Sequence, residues 1–173
     1  MTHQDWRKPR YLTLGAVLAA MTVTIQISPL YLPLIGVSLS ALSTLPVALS
    51  AYLHGVTGSL TFLVSGVILC FWSVPQALVF WLSSGLLGLC LGFLMKREYS
   101  LPVVVGISAL ALTLGVLFAG KLLGVPALPW LSGGKRAFLV PLLLASSLLY
   151  TFIWVPVLSV LLARLRQLME WPE

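Results

Sequence analysis

The sequence predicts an all-α polytopic membrane protein, a six-helix transmembrane bundle that forms one domain over residues 1–173. Three observations predict it. Sixty per cent of the 173 residues are apolar and only 8% are charged, which gives a mean hydropathy of +1.07. The apolar residues run on without alternating, and this excludes a transmembrane barrel, whose strands alternate lipid-facing and lumen-facing positions. The four acids, Asp5, Glu98, Glu170 and Glu173, all fall outside the long apolar runs. A bilayer core about 30 Å thick takes roughly 20 residues of helix to cross. A chain of this length therefore has room for six crossings joined by short turns.

The segment Met1 to Arg10 is polar and basic. The run after it is long enough to span, and Gln26-Ile27-Ser28-Pro29 is a poor cleavage site. It therefore reads as the first span, Tyr11–Ile27, rather than as a cleaved signal. Ser28-Pro29 and Pro33 are expected to break the chain after it. The second span is Leu34–Leu53, and His54-Gly55 separates it from the third, Val56–Trp72. Ser73-Val74-Pro75 ends the third span, and the fourth, Pro75–Met95, stops at Lys96-Arg97-Glu98. The fifth covers Leu101–Leu123 and the sixth Ala137–Leu162. Gly124 to Arg136, rich in Gly and Pro, is the one connection longer than a turn. Cys70 and Cys90 lie in or near apolar runs and read as small apolar fillers. No disulfide, metal site or cofactor is expected.

Orientation follows from the basic residues in short connections. With the N-terminus inside, Arg7, Lys8, Arg10, Lys96, Arg97, Arg164 and Arg166 are inside, and Lys121, Lys135 and Arg136 are outside. Seven against three favours both termini in the cytoplasm. The +6 net charge is mostly this bias, so no nucleic-acid partner is needed to explain it.

Two features carry functional expectations. In the first span, Gly15 and Ala19, and Ala16 and Ala20, place small residues four apart. Such a strip lets another helix approach closely, whether a neighbour in the same bundle or a partner protein. Gly85, Gly88 and Gly92 in the fourth span form a second strip, assigned to internal packing. The other feature is a gathering of aromatic, polar and cationic groups at the outer ends. Gln26 and Tyr31 lie near the first outer turn, Trp72, Gln76 and Trp81 around the second, and Lys121, Trp130, Lys135 and Arg136 flank the long connection. An interfacial aromatic belt would collect such residues. So would an outward pocket with aromatic walls and cationic anchors for a small anionic or aromatic solute. Few other hydrogen-bonding side chains are expected on this half of the bundle.

Enzyme signatures are absent. Ser132-Gly133-Gly134-Lys135-Arg136 lacks the spacing, the hydroxyl after lysine and the preceding strand of a phosphate-binding loop, and no nucleophile elbow or paired-histidine zinc motif occurs. The chain is expected not to be an enzyme. Without carboxylates inside the spans, proton coupling is unsupported. If the chain moves a solute, the energy comes from another subunit.

Six spans, cytoplasmic termini, this length and the strip Ala16-x-x-x-Ala20 together resemble the substrate-binding S component of energy-coupling-factor transporters. The run Leu45-Pro46-Val47-Ala48-Leu49, followed by Tyr52-Leu53-His54-Gly55, is also similar to a group of uncharacterised bacterial membrane proteins related to that family. The resemblance implies a multi-pass protein of the bacterial cytoplasmic membrane. It implies a small metabolite or vitamin held near the outer face, and docking through the first-span strip on a transmembrane T subunit driven by two ATPases. The rod-shape-determining membrane protein D, a structural scaffold, shares this size and fold and gives a second expectation.

Overall fold

A computed structural model describes residues 9–123 and 136–169 of the protein. Among these residues the chain is built from α1 (Pro9–Tyr31), α2 (Pro33–Ser40), a 3-10 turn (Ala41–Ser43), α3 (Thr44–Leu53), α4 (Gly55–Trp72), α5 (Val74–Leu82), α6 (Ser84–Lys96), α7 (Leu101–Leu122) and α8 (Arg136–Met169). Six stretches are long and apolar enough to cross a membrane: Tyr11–Tyr31, Leu34–Leu53, Gly55–Trp72, Val74–Lys96, Leu101–Leu122 and Val140–Arg164. The all-helical membrane bundle predicted from composition is the fold observed, and Trp130 and Lys135 lie outside the described residues.

Three local details differ from the sequence expectation. First, α1 does not stop at Ser28-Pro29 but runs on to Tyr31. Proline at 29 removes the amide that would bond the Ile25 carbonyl. The Ser28 hydroxyl donates to that carbonyl instead, at 2.7 Å. Second, the second span is not one helix. It tightens into the 3-10 turn at Ala41–Ser43, and Leu42 within that turn lies four residues before Pro46, where a proline ring crowds the carbonyl. Third, the fourth span divides at Ser83, whose φ of −124° and ψ of −91° leave the helical region. Ser83 N–H closes α5 on the Val79 carbonyl at 2.9 Å, and the Ser83 carbonyl opens α6 by accepting from Leu87 N–H at 2.9 Å.

The turns are fastened by specific contacts. At one end of the bundle, the Tyr11 ring stacks on His54, with centroids 5.2 Å apart. Lys96 Nζ donates to the Leu53 carbonyl at 3.1 Å, placing a cation on the negative end of α3. Beside it α6 ends in a Schellman motif: Glu98 N–H bonds Met95 O and Tyr99 N–H bonds Leu94 O, with Glu98 at a φ of 56°. At the opposite end, Ser73 caps α5 by accepting from Gln76 N–H at 3.4 Å.

Lipid tails are as apolar as leucine, so close packing and interhelical hydrogen bonds must hold the helices together. Gly88 and Gly92 of α6 lie directly on the Thr44 and Ala48 carbonyls of α3, which is the internal packing expected of that strip. Gly66 of α4 lies under the Trp81 indole, and Gly115 of α7 against the Leu82 carbonyl, at the break in the fourth span. Hydroxyls supply polar contacts between helices: Thr61 donates to Gly15 O and Ser65 to Ala19 O, from α4 to α1. One apolar cluster centres on Leu87, Leu91, Trp154 and Leu158, another on Val47, Leu69, Ala77 and Phe80. The exterior is apolar as well. Leu34 is 91% exposed and Phe71 85%, as expected of side chains that face lipid.

Candidate binding cavity

The interruptions in the second and fourth spans meet around one cavity of about 330 Å³. It lies toward the end of the bundle where α1 finishes and α5 begins. Gln26 of α1 is five residues short of Tyr31, about 7–8 Å along the helix. The end of α2 and the 3-10 turn bring Ser40 and Ala41, and the break in the fourth span brings Ser83 and Ser84. Leu112 and Val116 of α7 form an apolar wall, and α8 contributes Ser146, Ser147 and Tyr150. Irregular backbone at membrane depth is tolerated only where protein buries it or a cavity receives it. Both irregular segments here border this cavity.

Gln26 is the most constrained group in the lining. It is 2% exposed, and the other buried polar side chains among the described residues are all serine or threonine hydroxyls. The Ser43 hydroxyl donates to its Oε1 at 2.7 Å and the Ser84 hydroxyl at 3.3 Å. Gln76 Nε2 donates to the Gln26 main-chain carbonyl at 2.8 Å. The two hydroxyls hold Oε1 as the acceptor end of the amide. The NH2 end, with two donors, is the part those bonds leave unengaged. An unpaired amide at this depth would cost several kcal/mol, so the serines are what allow a glutamine here.

The residues expected to form an outward pocket are divided by the structure. Gln26 lines the cavity, and Gln76 braces it from α5. Trp81 does not line it. Its indole packs on Gly66 beside Phe80 and Leu69, and its Nε1 is buried without a hydrogen-bond partner, so it is a packing residue between α4 and α5. Tyr31 (70% exposed) and Trp72 (56% exposed) look outward from the ends of α1 and α4. Lys121 is exposed at the end of α7, five residues beyond Val116. Arg136 opens α8, but its side chain, like Trp130 and Lys135, lies outside the described residues. Among the described side chains, Tyr31, Trp72, Trp81 and Lys121 do not line this cavity, and its polar lining is Gln26, Tyr150 and serine hydroxyls. Ser40, Ser43, Ser83, Ser84, Ser146 and Ser147 are not among the residues that sequence reasoning picks out. The pairs Ser83-Ser84 and Ser146-Ser147, each in the body of an apolar span, are the signal that could have found them.

The first-span strip is divided too. Gly15 and Ala19 face α4, where Thr57 and Thr61 cover Gly15 and Ala19 is 3% exposed. They are spent on internal packing. Ala16 and Ala20 are exposed, and Ala16 borders an apolar groove between α1 and α4 whose floor includes Gly15 and Ala19 and whose sides include Leu12, Leu60 and Val64. Cys70 and Cys90 are free thiols, half-buried. Among the described residues, no three His, Cys, Asp or Glu side chains gather in one place, so the chemistry of the cavity is that of hydroxyls and one amide.

Residues 20–126 match the model of a family described as predicted membrane protein, DUF2232. The matched stretch starts within α1 and includes the cavity residues of α1, α2, α5, α6 and α7, while those of α8 lie beyond it. Comparison with curated proteins and comparison with solved structures give no match.

Proposed function

For a chain that belongs to the DUF2232 family of predicted membrane proteins, we propose a role as the membrane-embedded solute-binding subunit of an ATP-driven importer of the energy-coupling-factor type. The observation that carries this reading is a cavity of about 330 Å³, mostly apolar but bordered by Gln26, Tyr150 and five serines, which falls in the size range of small-molecule sites, about 300–1,000 Å³. A protein that only scaffolds others has no need of a buried glutamine held by two serines beside a cavity. The solute enters from the outer face of the bacterial cytoplasmic membrane, with both termini cytoplasmic, and the cavity lies in the outer half. Lys121 is not part of its wall.

The acids are confined to Asp5, Glu98, Glu170 and Glu173, which leaves the spans without a carboxylate to couple transport to protons. The energy comes from outside the chain, through a transmembrane T subunit and its two ATPases. The surface offered to that partner is the exposed pair Ala16 and Ala20 with the adjoining α1–α4 groove. A larger side chain at either alanine holds an incoming helix away.

The test is affinity purification of the tagged protein from its host in mild detergent, with mass spectrometry of what accompanies it. Recovery of a T subunit and two ATPases, lost on Ala16→Leu or Ala20→Leu, is the expected result. Recovery of cell-wall synthesis proteins with no ATPase would overturn it and favour a scaffold of the rod-shape-determining protein D type.

A further inference from the structure

Among the described residues, none that lines the cavity is Asp, Glu, Lys, Arg or His. Its polar groups are serine hydroxyls, the Tyr150 phenol and the Gln26 amide. A charged molecule entering such a site exchanges part of its hydration for a mostly apolar lining and meets no counter-charge among the described residues, which is unfavourable. An uncharged polar molecule gives up only hydrogen bonds to water, and hydroxyls that donate or accept can replace these. The cation closest along the chain does not alter this. Lys121 is five residues past Val116, about 7–8 Å farther along α7, and it is exposed.

The geometry also sets size and polarity. A water occupies about 30 Å³ of liquid, so the cavity holds on the order of ten to fifteen non-hydrogen atoms. Because Ser43 and Ser84 both donate to Gln26 Oε1, the group that Gln26 has left to offer is its NH2, a donor. Leu112 and Val116 of α7 give the lining apolar surface, and Ser40, Ser83, Ser84, Ser146 and Ser147 give it hydroxyls.

We infer that the ligand of this cavity is an uncharged polar molecule of that size, bearing carbonyl or hydroxyl acceptors that the Gln26 side-chain NH2 engages, and that charged small molecules are shut out. This replaces the anionic solute suggested by the cations in the sequence. It rests on the reading of the cavity as a solute site, and is independent of how uptake is powered.

Thiol reagents of different charge, each read against a reference thiol on the same protein, test it without knowledge of the natural ligand. In a Cys70→Ala, Cys90→Ala background, Ser147→Cys places a single thiol in the lining on α8, and Ser84→Cys places it on α6 in case the first variant folds poorly. Ser100→Cys, at the exposed turn before α7, calibrates each reagent on the same protein. The reagents are the hydroxyethyl (neutral), sulfonatoethyl (anionic) and trimethylammonioethyl (cationic) methanethiosulfonates, and the rate of mass gain is read on the full-length protein in detergent. Relative to Ser100→Cys, both charged reagents are expected to react at the lining about tenfold or more slowly than the neutral one. If either charged reagent keeps pace with the neutral one, the inference fails while the solute-binding reading stands. If no reagent reaches either lining thiol while Ser100→Cys is modified, both fall.

Discussion

At the scale of single residues, Gln26 bears most of the consequence. Ser43 is fully buried and its hydroxyl donates to Gln26 Oε1. Gln26→Leu removes the acceptor and leaves a buried hydroxyl in apolar surroundings, which costs about 1–3 kcal/mol. The expected outcome is a lower thermal midpoint in detergent, with part of the loss recovered in Gln26→Leu/Ser43→Ala, where neither partner is stranded. An unchanged midpoint in the single variant would mean that the network is not a structural unit. Gln26 is legible in the sequence because an amide inside an apolar span is rare enough to draw notice. Its serines are not, since serine is an ordinary small residue at helix contacts in membranes. Trp81 escapes the sequence for a related reason. Hydropathy locates a tryptophan along the span but does not say whether it faces lipid, cavity or the glycine of a neighbouring helix.

At the scale of elements, the informative objects are the interrupted spans. The helix ends at Leu53, Trp72 and the Lys96-Arg97 stretch can be read from the sequence, because charge, proline and glycine mark where apolar runs stop. The breaks inside the second and fourth spans leave no such mark. Pro46 is visible, but its effect lies four residues upstream in the 3-10 turn, and the Ser83 break has no proline but sits in a tertiary contact with α7. Gly115 is the contact. A side chain there collides with the Leu82 carbonyl, so Gly115→Ala is expected to destabilise by about 1–3 kcal/mol, as overpacking does. Gly106, on the same helix, faces open space, with no atom within 4 Å of the place a Cβ would take. Gly106→Ala should be neutral, or stabilising by about 0.5–1 kcal/mol from helix propensity. Thermal unfolding of the two variants side by side checks the pair, and equal effects would remove the argument that α7 is fitted to the break.

At the scale of the whole molecule, six crossings by the six helices long and apolar enough to span would put both ends of the chain on one face, and the basic residues favour the cytoplasmic one. Reporter fusions at either terminus are expected to be active only in the cytoplasm, and reporters inserted at Ser73 only outside. A split result would invert or break the arrangement, and with it the side from which the cavity is reached. The fold class needs little beyond composition, since a chain this apolar has few ways to satisfy its backbone in lipid. The cavity needs the third dimension, because its walls come from spans far apart in sequence. The break at Ser83 also bears on how the chain enters the membrane. A helix interrupted in mid-bilayer is a poor passenger alone, because backbone groups released from its ladder meet only hydrocarbon until neighbours close around them. The fourth span should therefore settle late during biosynthesis, waiting at the translocon until α3 has arrived before it and α7 after it. Ribosome-stalled chains that end before α7 would then hold this span loosely, though it is among the most apolar of the six.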